Sequence, residues 1–382
     1  MEPKFFAFLM LTFGMISSTP ACAAITGDLD GDRIVSEKEL SDLILDHLDA
    51  SPALSSHIEL ANLRAASHIH AYYPRTIAGS SGEEITIYEP VRRIVPLTSD
   101  GAEVIRSLGA TNDVVGVGTG IAEDDFFYEF ADTKTVGKWN NPDCEMILAL
   151  DPDIVLAYSK WPGKDKLEDK IGETDITVVR LNFYTPETMT SDVQKLGVLL
   201  EREEKAQELA DFYQHYMDLV GGRVSTLHEE KSVYIECYSD FKTVSIGSGG
   251  HQMCMMAGGR NIAGDLIGEY PKVDPEWVIA QNPDVVIKAV SRSYDDPDEP
   301  ETILNGIIKR PGWDVMDAIE NGQIHLLMAD IYTGPRYIIG VVYMAQWIYP
   351  DLFADLDPAG IHQEYLRRFQ GTEMQDKIFV YP

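Results

Sequence analysis

The sequence predicts an α/β protein of two similar lobes, each with a central, mainly parallel sheet. A long bridging α-helix joins the lobes, and a small helical segment precedes them. Three observations favour this architecture. From Ile85 onward, short β-branched runs alternate with amphipathic helical stretches. A twelve-residue pattern occurs twice without gaps, and one unusually long amphipathic stretch lies between its two copies.

Length and composition narrow the classes of protein to which this chain can belong. Its 382 residues are enough for two or three domains, and 45% of them are apolar, which excludes wholesale disorder. Sixty-two acidic residues against 31 lysines and arginines give a formal net charge of −31. Because such a charge repels a phosphate backbone, nucleic acid is excluded as a partner.

The first 23 residues have the pattern of a cleaved signal peptide. Lys4 is followed by an apolar run over residues 5–16 that is too short to span a bilayer, and small residues flank Cys22. In the alternative interpretation, Cys22 carries a lipid anchor. In both cases the sequence predicts an exported protein, tethered at most by its first residue.

An acidic stretch just after this signal has the spacing of an EF-hand calcium loop. Oxygen ligands at the positions typical of such a loop are the side chains of Asp28, Asp30, Asp32, Ser36 and Glu39 and the carbonyl of Ile34. Arg33 stands where such loops have glycine, and a positive φ there costs a non-glycine residue roughly 1 kcal/mol. The pattern predicts a structural Ca²⁺ site; the alternative is an acidic loop that only caps a helix.

Two helices are expected after this loop, the second over residues 51–73. Since no helix precedes the loop, the segment over residues 24–75 resembles one repeat of a dockerin module. A dockerin has a second loop, and residues 51–73 contain no second acidic constellation. Calcium is therefore expected to staple the two helices together rather than to mediate adhesion.

Strands are predicted where β-branched residues cluster, and helical patterns fall between them. The predicted strands cover residues 93–97, 114–117, 154–158, 177–181, 232–237, 285–289 and 323–328. The repeated pattern covers residues 145–156 and 276–287, and each copy reads as a helix closed by proline before a buried strand. We therefore expect one lobe over residues 83–185 and a second over residues 223–382.

The stretch between the two copies, residues 186–222, has an apolar stripe at helical spacing. At 1.5 Å per residue, one helix of this length spans roughly 50 Å, too long to pack within one lobe. The sequence predicts that it bridges the two. Three cysteines remain after the signal, Cys144, Cys237 and Cys254, without the spacing of a zinc site; one disulfide among them is compatible with the sequence, which does not choose it.

An ordered set of motifs resembles a known family. Residues 93–105, 108–110 and 114–117, the two repeats, and Gly334, Pro335 and Arg336 are together similar to the helical-backbone (class III) periplasmic binding proteins, which serve ABC importers of iron-siderophore, haem and cobalamin. The resemblance covers residues 85–382. With the calcium loop, it is most similar to surface proteins of methanogenic archaea. It implies a monomer that binds a metal chelate between its lobes, with a permease and an ATPase as partners.

Ligand contacts are expected in the loops that follow the carboxyl ends of the strands. Candidate residues in these loops are Ser99, Asp100, Trp139, Asn140, Lys160, Trp161 and Tyr184 from the first lobe, and Tyr238, residues 245–251 with His251, Arg292, Tyr294, Tyr332 and Arg336 from the second. Such a rim is aromatic and cationic, so rings would cover a large chelate while Arg and Lys meet its carboxylates or phosphate.

Each of these residues also has a plainer interpretation. The tryptophans can be core residues, and Arg336 can form an ion pair at a helix start. The glycines at 247, 249 and 250 suit either an anion at a helix N-terminus or a tight turn. A soft-metal site at His251 and the neighbouring Met and Cys residues is disfavoured, because on a helix these side chains point in different directions.

Glu145 and Glu276 occupy the same position in the two repeats. In the resembling family, an acid at this place on each lobe docks into arginine pockets of the permease. The alternative is that each glutamate only complements the dipole of its helix.

The predicted function is capture of an iron(III) complex of siderophore type for an ABC importer. Cobamide or haem is the alternative within this class, and a calcium-dependent surface adhesion protein is the alternative outside it. An enzyme is disfavoured because the sequence has no nucleophile elbow, phosphate-binding loop or zinc-binding helix motif.

Overall fold

The computed structural model describes residues 24–49, 57–291, 295–296, 298–373 and 377–382. The chain divides into two compact units, one made of the residues up to Tyr72 with 173–175, the other of residues 73–172 and 176–382. The first unit contains α1 (Glu37–Asp49) and α2 (His57–Tyr72). The expected signal peptide over residues 1–23 lies outside the described residues.

The second unit begins with a hairpin and continues into the first lobe. The hairpin pairs β1 (Arg75–Ala78) with β2 (Glu84–Ile87) in antiparallel register. The elements of the first lobe are β3 (Ile94–Pro96), α3 (Ser99–Ser107), α4 (Thr119–Ala122), β4 (Gly137–Lys138), β5 (Asn141–Pro142), α5 (Cys144–Leu150), β6 (Ile154–Ala157), α6 (Glu168–Ile171) and β7 (Thr177–Arg180).

The sheet of the first lobe is parallel, with strand order β3-β6-β7. Val155 lies opposite both Val95 and Val178, and the central strand β6 is buried along its whole length. A run of β-branched residues with no polar alternation is what a strand covered on both faces requires. The strand predicted at 114–117 is wrong in part, because this segment forms isolated bridges at Val114 and Val117 instead of a continuous ladder.

The single long helix predicted over residues 186–222 is wrong. Two helices occupy this stretch, α7 (Pro186–Leu199) and α8 (Glu203–Val224). At the break, Glu201 has a φ of 55°, and Arg202 N–H donates to the Gly197 carbonyl at 2.8 Å. The apolar pattern runs across the break, so periodicity alone could not reveal it.

A cluster outside the two helices accounts for the break. The Tyr73 hydroxyl donates to the Glu201 carboxylate at 3.0 Å, and an Arg75 guanidinium nitrogen lies 2.6 Å from the Glu203 carboxylate. These contacts hold the chain between the helices in its left-handed turn. The bridging role expected of one long helix falls to α8, which packs against α3 in the first lobe and against residues of the second lobe.

The second lobe is built on a larger sheet. Its remaining elements are β8 (Ser232–Cys237), α9 (Gly249–Met256), β9 (Arg260–Asn261), α10 (Pro275–Gln281), β10 (Val285–Val290), α11 (Asp298–Ile308), α12 (Asp317–Glu320), β11 (Ile324–Met328), α13 (Tyr337–Ile348), α14 (Pro358–Tyr365) and β12 (Val380–Tyr381). The strand order is β12-β11-β10-β8-β9, and only β12 runs antiparallel to its neighbour. A π-helical turn, Leu366–Gln370, follows α14.

The two copies of the sequence repeat have the same structure. In the first copy Asp151, which has a φ of 46°, caps the C-terminus of α5, and the chain then enters β6. In the second copy Asn282, which has a φ of 43°, caps the C-terminus of α10, and the chain then enters β10. Asp and Asn tolerate this left-handed conformation better than other non-glycine residues, which explains their place in the pattern.

Two further observations concern the chain as a whole. Within the described residues, none of the helices combines the length and the apolar character that crossing a bilayer requires. The cysteines Cys144, Cys237 and Cys254 are all buried and free, so the open question of a disulfide among them is answered: none forms.

The packing of α7 against α8 can be tested with two glycines. A methyl group on Gly197 would overlap the Ala206 side chain on α8, whereas one on Gly221 would meet nothing within 4 Å. We expect Gly197→Ala to lower the free energy of unfolding by about 1–2 kcal/mol, because overpacking outweighs the gain in helix propensity. Gly221→Ala should raise it by about 0.5–1 kcal/mol. Urea denaturation measures both; stabilisation by Gly197→Ala would contradict the observed packing.

Candidate ligand-binding cleft

A cavity of about 1010 Å³ lies between the two lobes. Its walls come from the loops that follow the carboxyl ends of parallel strands, as expected for this kind of sheet. The first lobe contributes Ser99 after β3, Tyr158 after β6 and Tyr184 after β7, and the second contributes Tyr238 after β8, Ser291 after β10 and Asp330 after β11.

The cavity contains only part of the ligand set expected from sequence. Six of those residues line it: Ser99, Trp139, Tyr184, Tyr238, Tyr332 and Arg336. Asp100 lines it as well. Arg292 and Tyr294 lie outside the described residues.

The other expected residues, among them Asn140 and residues 245–250, do not line the cavity. Three of them, Lys160, Trp161 and His251, have other surroundings. The Lys160 ammonium lies 3.3 Å from the Glu269 carboxylate, an ion pair that joins the two lobes at the surface. Trp161 beside it is 45% exposed. His251 lies 3.1 Å from the side-chain amide of Asn261, so its ring is engaged in the second lobe. The structure therefore does not place these three side chains on the cavity wall, where they were expected from sequence.

Aromatic rings form much of the cavity wall. The rings of Tyr158 and Tyr184 meet edge to face with centroids 4.8 Å apart, and Trp139 meets Tyr158 at 5.9 Å. Across the cavity, Tyr238 and Tyr332 pair at 6.0 Å. Trp139 and Tyr238 remain 44% and 48% exposed. Large rings left exposed in a cleft provide apolar area that a ligand can cover.

The glycines that open α9 serve close packing. A side chain on Gly250 would overlap the Tyr332 hydroxyl, and one on Gly249 would come within 2.8 Å of Thr333 and 3.0 Å of the Tyr184 carbonyl. The helix N-terminus is capped by Ser248, whose hydroxyl accepts from His251 N–H at 3.2 Å. Of the two interpretations left open by sequence, the tight, closely packed turn accounts for these glycines.

Arg336 forms a buried ion pair with the other lobe. Its Nε lies 3.1 Å from Glu103 Oε1 on α3, and both side chains are less than 10% exposed. The Tyr365 hydroxyl donates to the same Glu103 oxygen at 2.9 Å. The guanidinium also lies over the Phe126 ring, 4.5 Å from its centroid. Of the two interpretations of Arg336, the structure therefore supports the ion pair at a helix start.

Among the described residues the lining of the cavity is acidic, in contrast to the cationic rim expected from sequence. Seven carboxylates of this part of the chain contribute to it, those of Asp100, Glu103, Glu123, Asp124, Asp125, Asp295 and Asp330. Three cationic side chains of the same residues contribute, those of Lys138, Arg336 and Lys377. The segment 123–125 and Asp330 were not singled out from sequence. Asp330 comes two residues after β11, and this position at a strand's carboxyl end was the available signal.

Burial raises the pKa of two of these carboxylates. Burial raises the pKa of Asp100 to about 6, although the hydrogen bond from the Tyr158 hydroxyl opposes this rise. Burial likewise raises the pKa of Glu103, against the opposing effect of Arg336. Burial would lower the pKa of Arg336, but Glu103 and Asp330 hold it above its usual range. The pair thus depends on mutual neutralisation in a place that water does not reach.

The acidic loop of the first unit, which precedes α1, brings several carboxylates together. Carboxylate oxygens of Asp28, Asp30 and Asp32 lie within 4.8 Å of one another. Glu39 turns into the loop, where its carboxylate accepts from Leu29 N–H at 2.6 Å and from the Ser36 hydroxyl at 2.7 Å. Hydrogen bonds from Ser36, Leu29 and Asp30 lower the pKa of Glu39 to about 2.

The sixth loop position is strained as expected from sequence. Arg33 has a φ of 71°, the left-handed conformation that glycine adopts most readily. The two glutamates expected to dock a permease, Glu145 and Glu276, are exposed in the first turns of α5 and α10.

Two α/β lobes around a cleft lined by their strand ends define a bilobal solute-binding protein. Residues 94–331 match the family model described as periplasmic binding protein. The chain belongs to this family. It is 27% identical over 291 residues to an ABC transporter substrate-binding lipoprotein of Bacillus subtilis, covering 74% of this chain and 88% of that protein.

Two further proteins extend the comparison. A vitamin B12-binding protein of Vibrio parahaemolyticus is 22% identical over 208 residues, 54% of this chain and 74% of that one. The crystal structure of the TroA-like periplasmic binding protein FepB from Veillonella parvula shares the fold with a TM-score of 0.71 at 21% identity, covering 81% of this chain and 99% of that one. These three relatives are binding proteins rather than enzymes, in agreement with the absence of a catalytic motif from the sequence.

Proposed function

We propose that this protein captures an iron(III) complex of siderophore type between its lobes and delivers it to an ABC permease and ATPase. The observation that carries the proposal is the cavity of about 1010 Å³ with exposed aromatic rings on both of its walls. Binding sites for small molecules span about 300–1,000 Å³, so this one is at the upper limit and suits a bulky chelate.

A cobamide is the second candidate ligand. The similarity to vitamin B12-binding proteins favours it, and its corrin ring offers a broad face to Trp139 and Tyr238. Haem fits less well, because its two propionates would face the carboxylates of the cavity. The monomeric state and export through residues 1–23 with a possible anchor at Cys22 stay predictions from the sequence. An adhesion function has no support among the relatives.

The colour of the ligand provides the test. Protein incubated with iron(III) desferrioxamine B, cyanocobalamin or haem is passed through gel filtration, and we expect one of these chromophores to elute with it. Trp139→Ala should weaken binding of that ligand about 5- to 30-fold, the loss of about 1–2 kcal/mol of ring contact. Trp161→Ala is the matched control, because Trp161 is equally exposed but lies outside the cavity.

Two results would reject this function. One is elution of the protein without the iron(III) complex, and the other is equal weakening by the two tryptophan variants.

We also propose that the first unit binds a structural Ca²⁺. Its ligands would be the side chains of Asp28, Asp30, Asp32, Ser36 and Glu39 and the Ile34 carbonyl. The support is that three carboxylates converge and that Glu39 lies inside the loop, where hydrogen bonds to both of its carboxylate oxygens lower its pKa. Calcium here would join the loop to α1 and would have no direct part in ligand capture.

Calorimetric titration with Ca²⁺ tests this site. We expect Glu39→Gln to abolish the binding isotherm, since it removes the charge and one of the oxygens of the bidentate ligand. Glu37→Gln, in the same helical turn, removes an equal charge outside the set of ligands and should leave the isotherm intact. An unchanged isotherm in Glu39→Gln would refute the ligand assignment.

Glu145 and Glu276 are proposed to dock the permease, one from each lobe. Both are exposed at equivalent positions of the two repeats, so they can present the same carboxylate to a two-fold partner. Neither lines the cavity. Their role is therefore separable from ligand binding.

We expect the double variant Glu145→Ala/Glu276→Ala to keep its ligand affinity and to lose ligand uptake in vesicles that contain the cognate permease and ATPase. Glu204→Ala/Glu301→Ala is the control, because it removes two exposed first-turn glutamates from other helices. Loss of ligand affinity in the docking variant, or equal loss of uptake in both variants, would defeat the assignment.

A further inference from the structure

We propose that the cleft selects iron(III) chelates of net positive charge and discriminates against anionic ones. This inference rests on the proposed function and goes beyond it by naming the charge class of the ligand. It follows from which charges of the cavity are already neutralised within the protein and which remain for a ligand.

Arg336 is already paired with carboxylates of the protein. Glu103 lies 3.1 Å from Arg336, and Asp330 lies 3.9 Å from it on the other side. An incoming carboxylate would have to compete with two carboxylates of the protein for one guanidinium. Apart from Arg336, the cationic groups of the lining within the described residues are Lys138 and Lys377.

The carboxylates of residues 123–125, on the wall of the first lobe, in contrast to Arg336, have no such ion-pair partner within the described residues. Glu123, Asp124 and Asp125 all line the cavity, and within the described part of the chain none of them has a lysine, arginine or histidine within 4.0 Å. One Asp124 oxygen accepts from Phe126 N–H at 2.9 Å. A backbone hydrogen bond leaves the negative charge of the carboxylate in place.

Negative charge also lies on the remaining sides of the cavity. Asp100 comes from the start of α3 and Asp295 from the loop after β10. The single charge of Arg336 offsets only one of its two carboxylate partners, Glu103 and Asp330. Carboxylates on both lobes face the same space, so a cation between them is attracted by both and an anion is repelled by both. The net charge of −31 adds a long-range potential of the same sign.

Three iron(III) complexes that share one chelating core but differ in net charge separate the effect of ligand charge from the effect of ligand shape. The iron(III) complex of desferrioxamine B carries a protonated amine and a net charge of +1; its N-acetyl derivative is neutral, and its N-succinyl derivative has a charge of −1. We expect affinity, measured by quenching of tryptophan fluorescence at low ionic strength, to fall at least tenfold from the cationic to the anionic complex. Salt should weaken binding of the cationic complex and narrow this difference.

A variant that lacks two of these charges tests whether the wall of the first lobe causes this preference. Asp124→Asn/Asp125→Asn keeps an oxygen that can cap the following turn, and we expect it to reduce the ratio of the two affinities to below threefold. Asp132→Asn/Asp169→Asn removes two exposed charges of the first lobe outside the cavity, so the ratio should persist.

Each remaining outcome overturns the inference. Equal affinity for the three complexes, tighter binding of the anionic one, or binding of none of them would do so, as would equal effects of the two double variants. The proposed function itself fails only when none of the three iron(III) complexes binds, so equal affinity for all three or tighter binding of the anionic one overturns the charge selectivity alone.

Discussion

The geometry of the cleft depends on one buried ion pair, between Glu103 on α3 and Arg336 at the start of α13. It joins the two lobes in a place where neither charge can be hydrated, and the Tyr365 hydroxyl completes it. Removing one partner of such a pair leaves an uncompensated buried charge, which costs roughly 3–5 kcal/mol. The pair therefore restricts how far the lobes can separate, and α8 packs across the same region.

The same pair determines the chemistry of the ligand space. Because Arg336 is neutralised from within the protein, the carboxylates at 123–125 and Asp330 dominate the lining, and the aromatic rings supply its apolar area. Solute-binding proteins of one fold can thus differ in ligand charge by how the cationic side chains are paired. Here the pairing leaves a cleft that is aromatic and acidic.

Much of the fold was predictable because its signals are local. Strands β6, β7, β8, β10 and β11 lie where β-branched runs occur, and both copies of the repeat form the same helix and strand. The break at Glu201 was not predictable, because it depends on Tyr73 and Arg75, more than a hundred residues away. For the site, strand ends correctly indicated six of the lining residues but also indicated Lys160, Trp161 and His251, whose side chains are engaged elsewhere.

The sequence by itself determined the class of fold, the position of the cleft at the strand ends and the spacing of the acidic loop, since each follows from periodicity or from residues a few positions apart. Only the tertiary structure decided the charge of the cleft. Composition counts every lysine, arginine and carboxylate, whereas the field inside a cavity depends on which of them are paired. Glu103 and Arg336 are 233 positions apart, and their contact exists only once both lobes have folded.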